Sequence, residues 1–145
     1  MLYIERVVGM QKRIKEKMLE KAKNAIKNAY VPYSGFRLSA SILTDEGKIF
    51  TGVNIENASY GLTICAERTA LFKAVSEGYR NFEALLLYSE GDKIITPCGA
   101  CRQVISEFTN DMEIIMINKN DEEYSKNIAK LLPGAFNQED MDDEL

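Results

Sequence analysis

The sequence predicts a layered α/β domain, helices packed on a mixed or parallel sheet. Three observations predict it. Strand-like apolar runs alternate with helix-period segments along the chain, the order that builds such layers. The longest apolar runs, "ALLLY" from Ala84 and "IIMI" from Ile114, are far shorter than the eighteen or so residues of a membrane helix and read as buried strands. Finally, 145 residues with 46% hydrophobic and 28% charged content suit one domain that buries roughly two thirds of its unfolded surface.

The first element is an amphipathic helix. In "QKRIKEKMLEKAK" and beyond, Ile14, Met18, Ala22, Ala25, Ile26 and Ala29 recur at helical spacing, and the lysines form the solvated face, interrupted by Glu16 and Glu20. "YVPYSGF" (Tyr30–Phe36) is a turn-rich connection marked by Pro32 and Gly35. Two strands follow, "RLSASIL" and "KIFTGVNI", joined by the turn "TDEGK". A helix opens near Cys65 and stops at Gly78, and "EALLLYS" is the next strand. "TPCGACRQVISEFT" reads as a helix with Thr96 as its cap and Pro97 in its first position. "EIIMIN" is a fourth strand, "KNDEE" a turn, and "SKNIAKLLPG" a short helix stopped by Pro133 and Gly134. Residues 1–10 and 137–145 are expected to be peripheral to a single domain spanning 1–145, the acidic "NQEDMDDEL" frayed.

Charge and composition narrow the function. A net charge of −4 argues against a surface built to neutralise a nucleic-acid backbone, so no nucleic-acid partner is expected, and no run reaches membrane-spanning length. The N-terminal stretch lacks the apolar region and cleavage site of a secretory signal, which predicts a cytoplasmic location. Cysteines in a reducing compartment are more often metal ligands or catalytic groups than disulfides, and the sequon at Asn57–Ser59 is a chance match.

The chain has three cysteines and no histidine. Cys65 heads one predicted helix, while Cys98 and Cys101 head another in a C-x-x-C spacing. A structural zinc site is closed by four protein ligands; a catalytic one keeps three and leaves a position for water. Three thiolates and no histidine favour the open form. The alternatives are a site closed by a carboxylate such as Glu67, or three buried apolar cysteines.

Three thiolates leave zinc with a net negative charge, which weakens it as a Lewis acid unless positive charge lies near the sulfurs. Two helix N-termini supply it, and Arg68 and Arg102, each just after a cysteine, can add hydrogen bonds to sulfur. Zinc lowers the pKa of bound water to about 7, and a nearby carboxylate can relay the proton, an effect of about 10²–10⁴-fold. Glu67, two residues after Cys65, is the candidate; alone, a first-turn glutamate is simply a good partner for the helix dipole.

The pattern C-A-E, then 29 residues from Arg68 to Thr96, then P-C-G-A-C resembles the zinc motif of nucleobase deaminases. The resemblance extends to "PYSGF", "GVNIENASYG", "CAERTALFKAVSEG", "PCGACRQVISEF" and "LLPGAF", which occur between Pro32 and Phe136 in the order seen in the small, homotetrameric type of cytidine deaminase. It implies the cytidine deaminase fold, a mixed sheet of about five strands with helices on both faces. It also implies one Zn²⁺ per subunit on Cys65, Cys98 and Cys101, with no organic cofactor. Glu67 would shuttle protons to N3 and then to the departing amino group, hydroxide would attack C4 of cytidine or 2'-deoxycytidine, and ammonia would leave. Phe36 and Ala66 would contact the pyrimidine nucleoside, and Asn54 and Glu56 the ribose. Tyr60 and Phe136 would reach a neighbouring subunit's site, so that a homotetramer shares its active sites. Such an enzyme serves pyrimidine salvage.

Asn54 and Glu56 also make sense without the family. At i and i+2 at a strand end, an amide and a carboxylate can share one side and face a hydroxylated sugar. The chain departs from the family at "SAS" (Ser39–Ser41), where a glycine and two alanines are common, so the resemblance does not carry over the fine shape of that part of the pocket. Two other readings remain: deamination of a modified cytosine nucleoside such as blasticidin S, and a non-catalytic zinc-stabilised binding module.

Overall fold

The computed structural model describes residues 2–142. In chain order the elements are α1 (Leu2–Ala25), β1 (Leu38–Thr44), β2 (Ile49–Val53), α2 (Ala66–Ser76), β3 (Phe82–Ser89), α3 (Gly99–Phe108), β4 (Glu113–Ile117), β5 (Glu123–Asn127), α4 (Ile128–Leu131) and α5 (Gln138–Asp142). The five strands form one sheet in the order β2-β1-β3-β4-β5. Only β3 and β4 run parallel, because α3 carries the chain across between them; the other neighbours are antiparallel.

Helices cover both faces, as expected. Strand alternation sorts the continuous apolar run of β3 between them: Leu85 and Leu87 pack with Leu71, Ile105, Ile114 and Met116 under α2 and α3, whereas Leu86 and Tyr88 pack with Met18, Ala22, Ile26, Ile115 and Ile117 under α1. Each such leucine contributes about 1.5–3 kcal/mol by leaving water. Met18, Ala22 and Ile26 of the predicted stripe are thus buried, whereas Ile14 is exposed and Ala25 and Ala29 are half-buried.

Gly52 sets how closely α2 sits on the sheet. A Cβ at that position would lie 2.3 Å from the Ala70 backbone nitrogen and 2.7 Å from the Ala66 carbonyl oxygen. Only a residue without a side chain allows that approach. Gly78, with φ of +100°, follows the end of α2 as its position predicts.

Four expectations need correction. The helix expected over "SKNIAKLLPG" is only Ile128–Leu131, and the preceding "EYSKN" is the edge strand β5, paired in register with β4 from Ile117↔Glu123 to Glu113↔Asn127. That strand is exposed, so no apolar alternation marked it; the Asn118–Glu122 turn, with Asp121 at φ of +59°, folds it back. Helix α3 begins at Gly99, with Cys98 as its cap in place of Thr96, because the Cys98 sulfur accepts the Cys101 N–H. The tail expected to fray contains α5, where Asn137 Oδ1 accepts from Glu139 N at 2.8 Å; residues 143–145 lie outside those described. Last, Ser39 and Ser41 do not shape the pocket. Their hydroxyls donate to Ala22 O (2.6 Å) and Met18 O (2.9 Å) beneath α1, and only Ala40 faces α2.

Candidate metal centre and active site

Two helix starts meet at the site. Cys65 caps α2 and Cys98 caps α3, both with extended backbone, and Cys101 lies one turn into α3. The three sulfurs all fall within 4.8 Å of one another, with Cys65 and Cys98 3.8 Å apart. Cys101 is buried, Cys65 half-buried and Cys98 exposed, so the trio is reached from one side. The sulfurs lie at the N-termini of two helices, and at α3 the Cys101 N–H donates to Cys98 Sγ at 3.5 Å, a setting that favours thiolates. The arrangement fits zinc, since soft thiolates clustered at this separation select such a metal and no fourth protein ligand joins them among the described residues.

The charges respond to one another. Hydrogen bonding from Cys101, then from Arg68 and Cys98, draws the Cys65 thiol down to about 5. Cys101 moves the other way, pushed up by its bond to that thiolate and by burial. Arg68 donates from its terminal nitrogen to Cys65 Sγ at 3.5 Å. Arg102 takes a different part: its guanidinium donates to Pro97 O at 2.8 Å and Leu131 O at 2.7 Å, tying the approach to α3 to α4 instead of meeting sulfur.

Glu67 lies in the first turn of α2, 2% exposed, and its Oε1 has no hydrogen-bond partner. Burial, reinforced by the Cys65 charge, raises its carboxyl to about 7. A buried carboxyl oxygen left unpaired is costly, so it marks a place where another group is handled. Ala66, fully buried, holds the backbone between Cys65 and Glu67.

Asn54, Glu56 and Tyr60 gather around the Tyr30–Leu38 segment that carries Phe36, whereas Phe136 lies against α3. Asn54 Oδ1 accepts from Leu38 N at 3.0 Å, and its Nδ2 donates to Phe36 O at 2.8 Å. Glu56 accepts from Tyr33 N (3.0 Å), Ser34 N (3.1 Å) and the Ser34 hydroxyl, which holds its carboxyl below the ordinary range. Both residues lie past the end of β2 and bind the backbone of the same connection, Asn54 at Phe36 and Leu38 and Glu56 at Tyr33 and Ser34. Phe36, Tyr60 and Phe136 are 41%, 72% and 60% exposed, and Tyr60 meets Tyr33 edge-on with ring centroids 6.0 Å apart.

Two contributors escaped the sequence reading. Ser34 fastens Glu56, a role that its place in "PYSGF" signals only weakly. Gln103 Nε2 donates to Phe136 O at 2.9 Å, joining α3 to the C-terminal segment; nothing local in the sequence links residues so far apart.

Comparison with known proteins agrees with this geometry. The family described as the cytidine and deoxycytidylate deaminase zinc-binding region matches residues 12–117. A protein named probable cytidine deaminase from Dictyostelium discoideum is 53% identical over 127 residues, 87% of this chain and 86% of its own. The crystal structure of cytidine deaminase from Burkholderia pseudomallei superposes with a TM-score of 0.81 at 45% identity, covering 83% of this chain and 98% of that one. Blasticidin-S deaminase of Bacillus cereus is more distant, 32% identical over 104 residues, 66% of this chain and 74% of its own. The chain is thus an enzyme of the zinc-binding cytidine and deoxycytidylate deaminase family, with the five-stranded, helix-covered sheet of that family's structures.

Proposed function

We propose that this enzyme converts cytidine and 2'-deoxycytidine to uridine and 2'-deoxyuridine with release of ammonia. The observation that carries the reading is the buried, unpartnered Glu67 Oε1 in the first turn of the helix that Cys65 caps, with Cys65 one of three clustered thiols. Cys65, Cys98 and Cys101 would hold Zn²⁺, which would supply the Lewis acidity that makes water nucleophilic at neutral pH. Glu67 takes the proton released as the water oxygen adds to C4 of the ring and passes it to N3. In the second half, Glu67 carries the remaining proton of the added oxygen to the amino group, the C4–N4 bond breaks to release ammonia, and the C4 carbonyl of uridine remains. Arg68, bonded to Cys65 Sγ, offsets thiolate charge.

Phe36 offers an aromatic face for the pyrimidine, and Ala66, between Cys65 and Glu67 in the chain, is the second pyrimidine contact. Asn54 and Glu56 present their amide and carboxylate toward the ribose, and the bonds they now make to the Tyr33–Leu38 backbone fix their orientation. The greater identity to a protein named for cytidine supports this substrate over blasticidin S. The exposed Tyr60 and Phe136 support a homotetramer in which each reaches a neighbour's site. No described helix is long and apolar enough to cross a membrane. We place the enzyme in the cytoplasm, in pyrimidine salvage.

The test is ammonia release from cytidine, deoxycytidine, cytidine monophosphate and blasticidin S, with Glu67→Gln alongside. Turnover of the two nucleosides, reduced at least about a hundredfold in Glu67→Gln with zinc retained, is expected. Turnover of blasticidin S alone, or an unimpaired Glu67→Gln, would overturn the reading.

A further inference from the structure

Asn118, at the end of β4, is completely buried yet belongs to none of the groups above. Its side chain joins two loops. Nδ2 donates to Asp92 O at 2.7 Å, in the β3–α3 connection, while Oδ1 accepts from Asn120 N and Glu122 N, both at 3.0 Å, in the β4–β5 turn. Lys119 N adds a bond to Gly91 O at 3.2 Å, and Ser89 Oγ closes the base of the same connection on Lys93 O at 3.1 Å. Donating to one loop and accepting from the other requires an amide; neither an aspartate nor an alanine can do both.

The connection so fixed supports Phe36. A Cβ placed on Gly91 would stand 3.3 Å from Phe36 Cε2 and 3.7 Å from Cζ, so the ring rests close against the bare Gly91 backbone. The Phe36 carbonyl is held separately by Asn54 Nδ2. The aromatic is therefore anchored through its main chain by one asparagine and propped at its ring by a loop that depends on another. Being 41% exposed, it lacks a packed core of its own to hold it.

We infer that Asn118 is a positioning residue for nucleoside binding: by fixing Gly91 and Asp92 it sets the place of the Phe36 ring. This rests on the reading that Phe36 packs on the pyrimidine. Asn118 touches neither the cysteines nor Glu67 through any of these bonds, so its loss weakens substrate binding without removing the chemistry. An effect of that kind raises KM and spares kcat.

Asn118→Asp keeps both acceptor bonds to the turn and sets an oxygen against the Asp92 carbonyl. In the zinc-loaded enzyme, its KM for cytidine is expected to rise about tenfold with kcat within about twofold of wild type and zinc content unchanged. Gly91→Ala, which presses on the ring directly, is expected to raise KM in the same way. Ser41→Ala serves as the stability control: it removes a buried hydrogen bond on the opposite face of the sheet and leaves KM unchanged. A wild-type KM in Asn118→Asp, or parallel loss of kcat and zinc, overturns the inference. Should Asn118→Asp not fold, Gly91→Ala decides, and a wild-type KM there overturns it equally. Wild-type enzyme that turns over cytidine beside unaltered variants defeats this inference alone; wild-type enzyme inert toward nucleosides defeats the substrate reading and this inference with it.

Discussion

The sulfurs of Cys65 and Cys98 stand 3.8 Å apart although 33 positions separate them in the chain, each on the extended residue that caps a helix. The juxtaposition depends on the sheet, because α2 packs over β1 and β2 while α3 follows β3 through the connection of residues 90–98. Metal affinity and folding are consequently linked, as a ligand that binds only the folded arrangement stabilises it. A metal present at 100 times its dissociation constant adds about 2.7 kcal/mol, equal to roughly 5–10 °C for a domain of this size. Chelation is expected to lower the melting temperature by that amount and to expose three thiols per chain to a thiol reagent, with zinc restoring both. Identical melting with and without chelator would show that the cysteines hold no metal.

Gly52 governs the other half of that relationship. With 2.3 Å between its missing Cβ and the Ala70 backbone, Gly52→Ala must move backbone, since no flexible side chain is there to yield. We expect a loss of about 3 kcal/mol in denaturant unfolding, at the upper end of ordinary overpacking. Because α2 carries both Cys65 and Glu67, zinc affinity should fall as well. Wild-type stability in Gly52→Ala would mean that α2 can sit farther from the sheet at no cost.

How much of this was legible in the sequence depended on whether the signal was local. Apolar runs announced β3 and β4, and the spacing of Met18, Ala22 and Ile26 announced the buried stripe of α1. The cysteines and Glu67 were readable because their residue types and spacing carry the chemistry themselves. β5 was not, since an exposed edge strand held by backbone hydrogen bonds has no hydrophobic period. Nor was the direction of Ser39 and Ser41, which depends on which sheet face α1 covers. Arg102 shows the same limit: adjacency to a cysteine placed it near sulfur in sequence, while the fold turned it to the carbonyls of Pro97 and Leu131.

The serines under α1 give a test of that assignment. Ser41 donates to the Met18 carbonyl in the body of α1 and Ser39 to the Ala22 carbonyl in its last turn, so Ser39→Ala and Ser41→Ala each remove one donor to that helix. Each should cost about 1 kcal/mol by thermal or urea unfolding. Neither should change KM for cytidine beyond experimental scatter. A large KM effect would return these residues to the pocket and contradict their placement.

Glu56 supplies the last expectation, a pH dependence. Its carboxyl is held below the ordinary range for a glutamate, chiefly by the Ser34 hydroxyl and then by the Ser34 and Tyr33 N–H groups, all of which favour the charged form. A carboxyl depressed in the folded state contributes stability that is present above its unfolded pKa and lost as pH falls through the lower folded one. Glu56→Gln lacks that contribution at every pH. The melting temperature of wild type is therefore expected to exceed that of Glu56→Gln from neutrality to about pH 5, and the gap to close progressively in more acidic solution. A gap that widens with acid would reverse the sign, and one that persists unchanged to about pH 3 would show that the charge on Glu56 is not what fastens the Tyr33–Phe36 turn.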